Sequence, residues 1–120
     1  MAGAIDVVYH MNNAVSEASR SNVFVVKDGK LITPARNILE GITRKQLLKI
    51  APDVIPTSVE DVSPEDLHSA DEVFLCSTLK EVCPIVEIDG KPIGNRKVGP
   101  YTRKLSKRFQ ELISDSLLIL

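Results

Sequence analysis

Two cysteines, two histidines, three phenylalanines, two tyrosines and no tryptophan are all that these 120 residues hold of those types. Cys76 and Cys83 have no further cysteine or nearby histidine with which to make a metal site, so they read as reduced, buried thiols of an intracellular protein. Neither His10 nor His68 lies beside a serine or cysteine in a nucleophile motif, which leaves serine-type and cysteine-type hydrolysis without support. Neither sign of charge dominates: 15 basic residues face 16 acidic ones for a net charge of -1, and no electrostatic case for nucleic acid exists. No apolar run reaches membrane-spanning length, and the tail Leu117-Leu118-Ile119-Leu120 is far too short. The opening MAGAIDVVYH has neither the basic nor the apolar region of a secretory signal, nor a transit-peptide signature. Internal repeats, linkers and low-complexity segments are also missing, and the length suits one domain over 1–120 with a modest core.

What the sequence does have is one dense stretch, residues 17–44. It opens on Glu17 and enters an apolar strand from Asn22, in which Val23-Phe24-Val25-Val26 predicts burial on both faces. Asp28-Gly29 is a hairpin signal, and Lys30 to Thr33 returns. Pro34 to Leu39 reads as a loop. A helix is expected from Thr43, whose hydroxyl can cap the next turn, with Pro52 stopping it. Ile5 to Met11 and Val15 to Ala18 read as lead-in strands, and Val54 to Val62 as mostly extended. Ser63-Pro64-Glu65-Asp66 is a helix start with Ser63 as cap. Glu72 to Cys76 and Ile85 to Ile88 read as strands, Asp89-Gly90 as a second hairpin turn, and Lys91 to Ile93 as its return. Pro100 to Ser114 predicts the longest helix, apolar along Leu105, Phe109, Leu112 and Ile113. Two strand-rich blocks separated by helices give an α/β or α+β fold with a mostly antiparallel sheet.

Three places could carry chemistry. Gly41-Ile42-Thr43 at a helix start offers backbone N–H groups, close approach at glycine and a hydroxyl, which together suit a phosphate. A plain capped helix start fits the same residues. Ser77-Thr78 after a strand is a second such place, although Thr78 and Glu81 also match a capping pattern. Glu17, among small residues and ahead of a buried strand, could be a shielded carboxylate that keeps a pyridine nitrogen protonated. A strand-end acid in solvent fits it too.

In order along the chain, Glu17-Ala18-Ser19-Arg20-Ser21-Asn22-Val23-Phe24, Leu31-Ile32-Thr33 and Leu39-Glu40-Gly41-Ile42-Thr43-Arg44 resemble the signature of the class IV aminotransferases, the fold-type IV pyridoxal-phosphate enzymes. The similarity continues through residues 70–78, 84–90 and 97–105, and the run Ser-Asn-Val-Phe with Glu-Ile-Asp-Gly-Lys is most similar to the D-amino-acid aminotransferase-like branch. The resemblance implies the large C-terminal domain of such an enzyme. It also implies amino-group transfer between an amino acid and a 2-oxo acid, of D-amino-acid or branched-chain type, with pyridoxal 5'-phosphate as cofactor in a homodimer. Glu17 would pair with the pyridine nitrogen and Leu39 would pack on the ring. Gly41, Ile42 and Thr43 would hold the phosphate, with Ser77 and Thr78 as a second set of donors. Asn22 and Arg44 match the signature and read as structural.

The departures are equally definite. Family members bond the cofactor through a lysine upstream of the glutamate, whereas the sixteen residues before Glu17 contain no lysine. The expectation is therefore a truncated chain without the small N-terminal domain, without a catalytic lysine of its own, and inactive alone. The loop from Thr33 to Leu39 is one residue shorter than the signature, Pro52 cuts a helix that relatives continue, and Arg96 stands where the family often has glycine. Alternatives are a lyase resembling aminodeoxychorismate lyase, and a non-catalytic remnant that binds cofactor or a partner subunit. The expected compartment is the cytoplasm or an organelle such as a plastid.

Overall fold

The computed structural model describes residues 8–11, 14–18, 21–35, 41–77 and 81–116, with side chains for 22–35, 41–77 and 82–112. Its centre is β3 (Ser21–Lys27). Two flanking strands share one edge of β3 and a third takes the other. β2 (Ala14–Ala18) pairs with its first residues, Glu17 opposite Asn22 and Ala18 opposite Ser21. β4 (Lys30–Thr33) pairs with its last, Val25 opposite Ile32 through Lys27 opposite Lys30. β6 (Glu72–Ser77) lies antiparallel along the other edge, from Asn22 opposite Cys76 to Val26 opposite Glu72. β1 (Val8–Met11) pairs with β2, β5 (Thr57–Val59) with β4, and β7 (Glu81–Ile85) with β6. The result is a seven-stranded sheet, antiparallel throughout except at the β4–β5 pair. The separate hairpin β8 (Glu87–Ile88) and β9 (Lys91–Pro92) completes the strands.

Because side chains alternate along a strand, the β-branched and aromatic run of β3 feeds two cores. On one face, Val23 and Val25 join Val62, Leu67, Val73 and Leu75. On the other, Phe24 and Val26 meet Phe74, Cys76, Leu47, Leu105 and Phe109 from the two longer helices. Phe24 and Phe74 stack across β3 and β6 with centroids 5.0 Å apart. β2 and β4 diverge between Asn22 and Val25, so the β3 backbone at Val23 lacks a strand neighbour on that edge. The buried Thr33 hydroxyl fills the gap by donating to the Val23 carbonyl at 2.7 Å.

The local predictions hold where a local rule decides. Asp28-Gly29 and Asp89-Gly90 each turn with two positive φ angles, 52° and 73° in the first and 52° and 76° in the second, the geometry of a tight hairpin. α2 (Pro64–His68) starts on a Ser63–Asp66 capping box. α3 (Pro100–Ser116) buries Leu105 and Phe109 and leaves Lys104, Lys107 and Arg108 outside. α1 (Ile42–Ile50) gives way to a 3-10 turn at Ala51–Asp53, where Pro52 stops it as expected.

Other expectations need correction. The helix begins one residue before Thr43, and its N-cap is Gly41, with no side-chain cap. The extended stretch from Val54 contracts to the three residues of β5. The strand expected at Ile85 to Ile88 is present as the shorter β8, paired through the Asp89-Gly90 turn to β9, whereas β7 at Glu81–Ile85 was not expected; Pro84 lies inside it, as a strand paired on one edge permits. Strand alternation sends Cys76 to the helix-bearing core and Cys83 to the other, so these neighbours in β6 and β7 are both free thiols.

α3 has no acid in its first turn. Instead Glu72 of β6, buried in the sheet, accepts from the Tyr101 amide at 3.2 Å and from the Thr102 amide and hydroxyl at 2.7 Å each. A side chain at Gly99 would overlap that carboxyl group, so glycine is required there. Glu72→Gln turns one acceptor into a donor facing other donors. It should lower the unfolding free energy by about 2–3 kcal/mol, the scale of a hydrogen bond to a buried charge, read as a fall in the urea midpoint. Arg96 has φ 62°, a left-handed conformation that suits glycine. Arg96→Gly should raise stability by about 1 kcal/mol in the same assay, against the loss of only an exposed 3.9 Å contact with Glu87.

Candidate functional site

The three segments singled out in the sequence come together around Asn22. This residue breaks the apolar run of β3 with a buried amide, 5% exposed. Its Oδ1 accepts the backbone N–H of Gly41 at 3.2 Å, and so ties the loop before α1 to the sheet. The bond requires close approach, since a Cβ on Gly41 would lie 3.2 Å from the same oxygen. Across one edge of β3, Glu17 is the register partner of Asn22; across the other, Cys76 is, with Ser77 next along β6. Gly41 and Glu17 thus stand beside one residue, although they are far apart in sequence, and Ser77 is one position beyond its partner on β6. Leu39 and Thr78 lie outside the described residues.

The start of α1 is suited to an anion. Gly41 is extended (φ -81°, ψ 162°), no side chain caps the helix and its first turn carries no acid. The N–H groups of its first turn and the positive end of its dipole therefore meet no carboxylate within the helix itself. The other two described helices differ: Asp66 closes the start of α2 and Glu72 that of α3. Ile42, 70% exposed, leaves the start of α1 open, while Thr43 and Arg44 are buried behind it. The Arg44 guanidinium donates to the Pro34 carbonyl at 3.0 Å and brings a positive charge beneath the same helix turn. Strand alternation puts Ser77 on the sheet face opposite to Cys76, so β6 presents Ser77 at its end and not over α1.

Sequence reasoning passed over Asn22 as merely structural. The available signal was an amide at the head of the apolar run Val23 to Val26, since burying a polar group is costly unless it is used. Thr33 and Glu72 gave no such signal, because each one's partner is distant in sequence. An open groove of about 270 Å³ between β7 and α3, lined by Val82, Pro84, Arg103 and Lys107 among others, contains none of the candidate residues. Among the described residues no group of acidic, histidine or cysteine side chains could hold a metal, and no helix is long and apolar enough to cross a membrane.

Comparison with known proteins identifies the family. Residues 1–88 match the model of the amino-transferase class IV family. The chain therefore belongs to the class IV aminotransferases. It is 43% identical over 113 residues to D-alanine aminotransferase of Staphylococcus aureus (strain N315), covering 92% of this chain and 40% of that protein. It is 41% identical over 107 residues to a probable branched-chain-amino-acid aminotransferase of Aquifex aeolicus, covering 86% and 34%. Among solved structures, the T.th. branched-chain amino acid aminotransferase with pyridoxamine 5'-phosphate superposes with a TM-score of 0.89 at 34% identity, over 95% of this chain and 39% of that one. The Escherichia coli branched-chain enzyme gives 0.85 at 35% identity, over 89% and 38%. The chain thus spans about 40% of the length of relatives such as the D-alanine aminotransferase.

Cys76, beside Asn22, has its thiol pushed up by burial from an ordinary 9.0 to about 12, with the Arg44 guanidinium and the Asn22 backbone pulling the other way. The folded thiol keeps its proton to a higher pH than the unfolded one. Its contribution to stability is therefore whole below about pH 9 and is lost as the pH climbs from 9 toward 12, by up to about 1.4 kcal/mol per pH unit. Cys76→Ala should flatten that part of the stability–pH curve, measured by urea unfolding from pH 8 to 11. An unchanged alkaline slope would mean the thiol is not shielded.

Proposed function

We propose that these residues form the part of a pyridoxal-phosphate aminotransferase that grips the cofactor, in an enzyme that moves an amino group between an amino acid and a 2-oxo acid. The observation that carries this reading is the meeting of Glu17, Asn22 and Gly41 at an uncapped helix start. The residues fit the group: a phosphate dianion is favoured by N–H donors, by the positive end of a helix dipole and by the absence of an acid in the first turn, and α1 offers a helix start with no acid in that turn. The Gly41, Ile42 and Thr43 segment would hold the phosphate, with Ser77 and Thr78 adding donors from the end of β6. Leu39 would lie against the ring, and the Glu17 carboxylate would hold the proton on its nitrogen. When bound, pyridoxal 5'-phosphate supplies an electron sink for the pair released at the substrate α-carbon. Keeping the ring nitrogen protonated is what Glu17 contributes to that chemistry.

The described lysines do not supply the covalent attachment. All except Lys27 are exposed, and Lys27 is engaged by Asp66 at 3.3 Å. An attachment lysine must be desolvated and aimed at the cofactor, so attachment through one of the described lysines is not expected, and the described residues should hold the cofactor without bonding to it. The D-amino-acid and branched-chain types are both represented among the relatives, and the choice between them belongs to residues that touch substrate. The amino acid and 2-oxo acid substrates, and assembly as a homodimer, belong to the same reading.

Equilibrium dialysis of the purified chain against pyridoxal 5'-phosphate tests this. Binding should weaken about tenfold in Thr43→Ala, the loss of one hydrogen bond to a charged group. Borohydride reduction followed by peptide mapping should leave no stoichiometric adduct on any one lysine. A single modified lysine, or no loss of affinity on altering Thr43, would count against the assignment.

A further inference from the structure

We propose that Asn22 is a positioning residue that fixes the ring end and the phosphate end of the cofactor cradle relative to each other. The inference rests on the reading of Glu17 and Gly41 to Thr43 as that cradle. Asn22 is the one residue bonded or paired to every described segment of it. Its side chain holds Gly41 at the threshold of α1, and its backbone stands opposite Glu17 on one edge of β3 and Cys76 on the other. The aim of the first N–H groups of α1 is therefore set by the same residue that sets the place of Glu17.

The choice of an amide is also explained. The Gly41 N–H needs an acceptor, and a carboxylate of nearly the same shape would serve it. A carboxylate, however, would put a negative charge beside a helix start that is to receive a phosphate, and in a buried setting that repulsion is poorly screened. An alanine or valine would pack as well in the strand but would release Gly41. Asparagine accepts the bond and adds no charge. The same approach makes Gly41 a tight fit, since a Cβ there would lie 3.2 Å from the amide oxygen and would push it back by a few tenths of an ångström.

The test uses the full chain with Asn22→Ala and Asn22→Asp, read first without cofactor. Amide hydrogen exchange at Gly41 should speed up about tenfold relative to Leu47 in Asn22→Ala, the scale of one lost hydrogen bond, and return toward the original rate in Asn22→Asp. Pyridoxal 5'-phosphate affinity should fall about tenfold in both variants. Phosphate-free pyridoxal should bind Asn22→Asp as it binds the unsubstituted chain. A residue that served only to fold the strand would not separate these two ligands. Unchanged Gly41 exchange in Asn22→Ala overturns the proposal whatever the ligands do. Full affinity for pyridoxal 5'-phosphate in both variants overturns it while leaving the proposed function standing. No uptake of pyridoxal 5'-phosphate by the unsubstituted chain removes the function reading, and the cradle role of Asn22 with it.

Discussion

Strand β3 is the constraint on which the rest depends. Residues 22–26 are buried on both faces, and neighbours hold both edges. Where β2 and β4 part, the Thr33 hydroxyl takes over the carbonyl they leave. A slip of one residue would exchange Phe24 and Val26 with Val23 and Val25, and would put the Asn22 amide into the other core. The register is therefore fixed, and so are the positions opposite it. Glu17, Cys76 and Gly41 come to one place because β3 has a single arrangement in which both cores are filled.

Electrostatics at the helix starts then divides the fold into a closed part and an open one. α2 is closed by an acid three residues from its own cap, and α3 by an acid from the sheet. α1, the helix whose start lies nearest Glu17 in the pairing pattern, has only a glycine there. Arg44 adds positive charge from behind. Among the described residues, α1 is thus the helix whose start carries no acid, from its own first turn or from the sheet.

How far this could be read from the sequence depended on the distance over which each rule acts. The two Asp-Gly turns, the Ser63 cap and the apolar stripe of α3 are each decided within a few residues, and each was legible. β7 was missed because Pro84 argues against a strand unless one knows that it lies where ladder bonds are not required on both sides. The helix expected at Thr43 starts at Ile42 because Asn22, some twenty residues earlier, holds the glycine that precedes it. The glycine that Arg96 replaces is explained only by the φ angle at that position. Of the candidate site, the helix start was visible from its own three residues, whereas the role of Asn22 was not, since nothing local says what a buried amide is bonded to.

The cap on α3 has a consequence for how the molecule comes together. A helix that carries its own capping acid can form its first turn before anything else is in place, as α2 can. α3 borrows its acid from a residue about thirty positions earlier, which is in position only once β6 has joined the sheet. The start of the longest helix is thus conditional on the central strands, and its loss would be transmitted to them through Glu72. Part of the cooperativity of the fold resides in that one carboxylate, because it couples the start of the helix to the strand that supplies it.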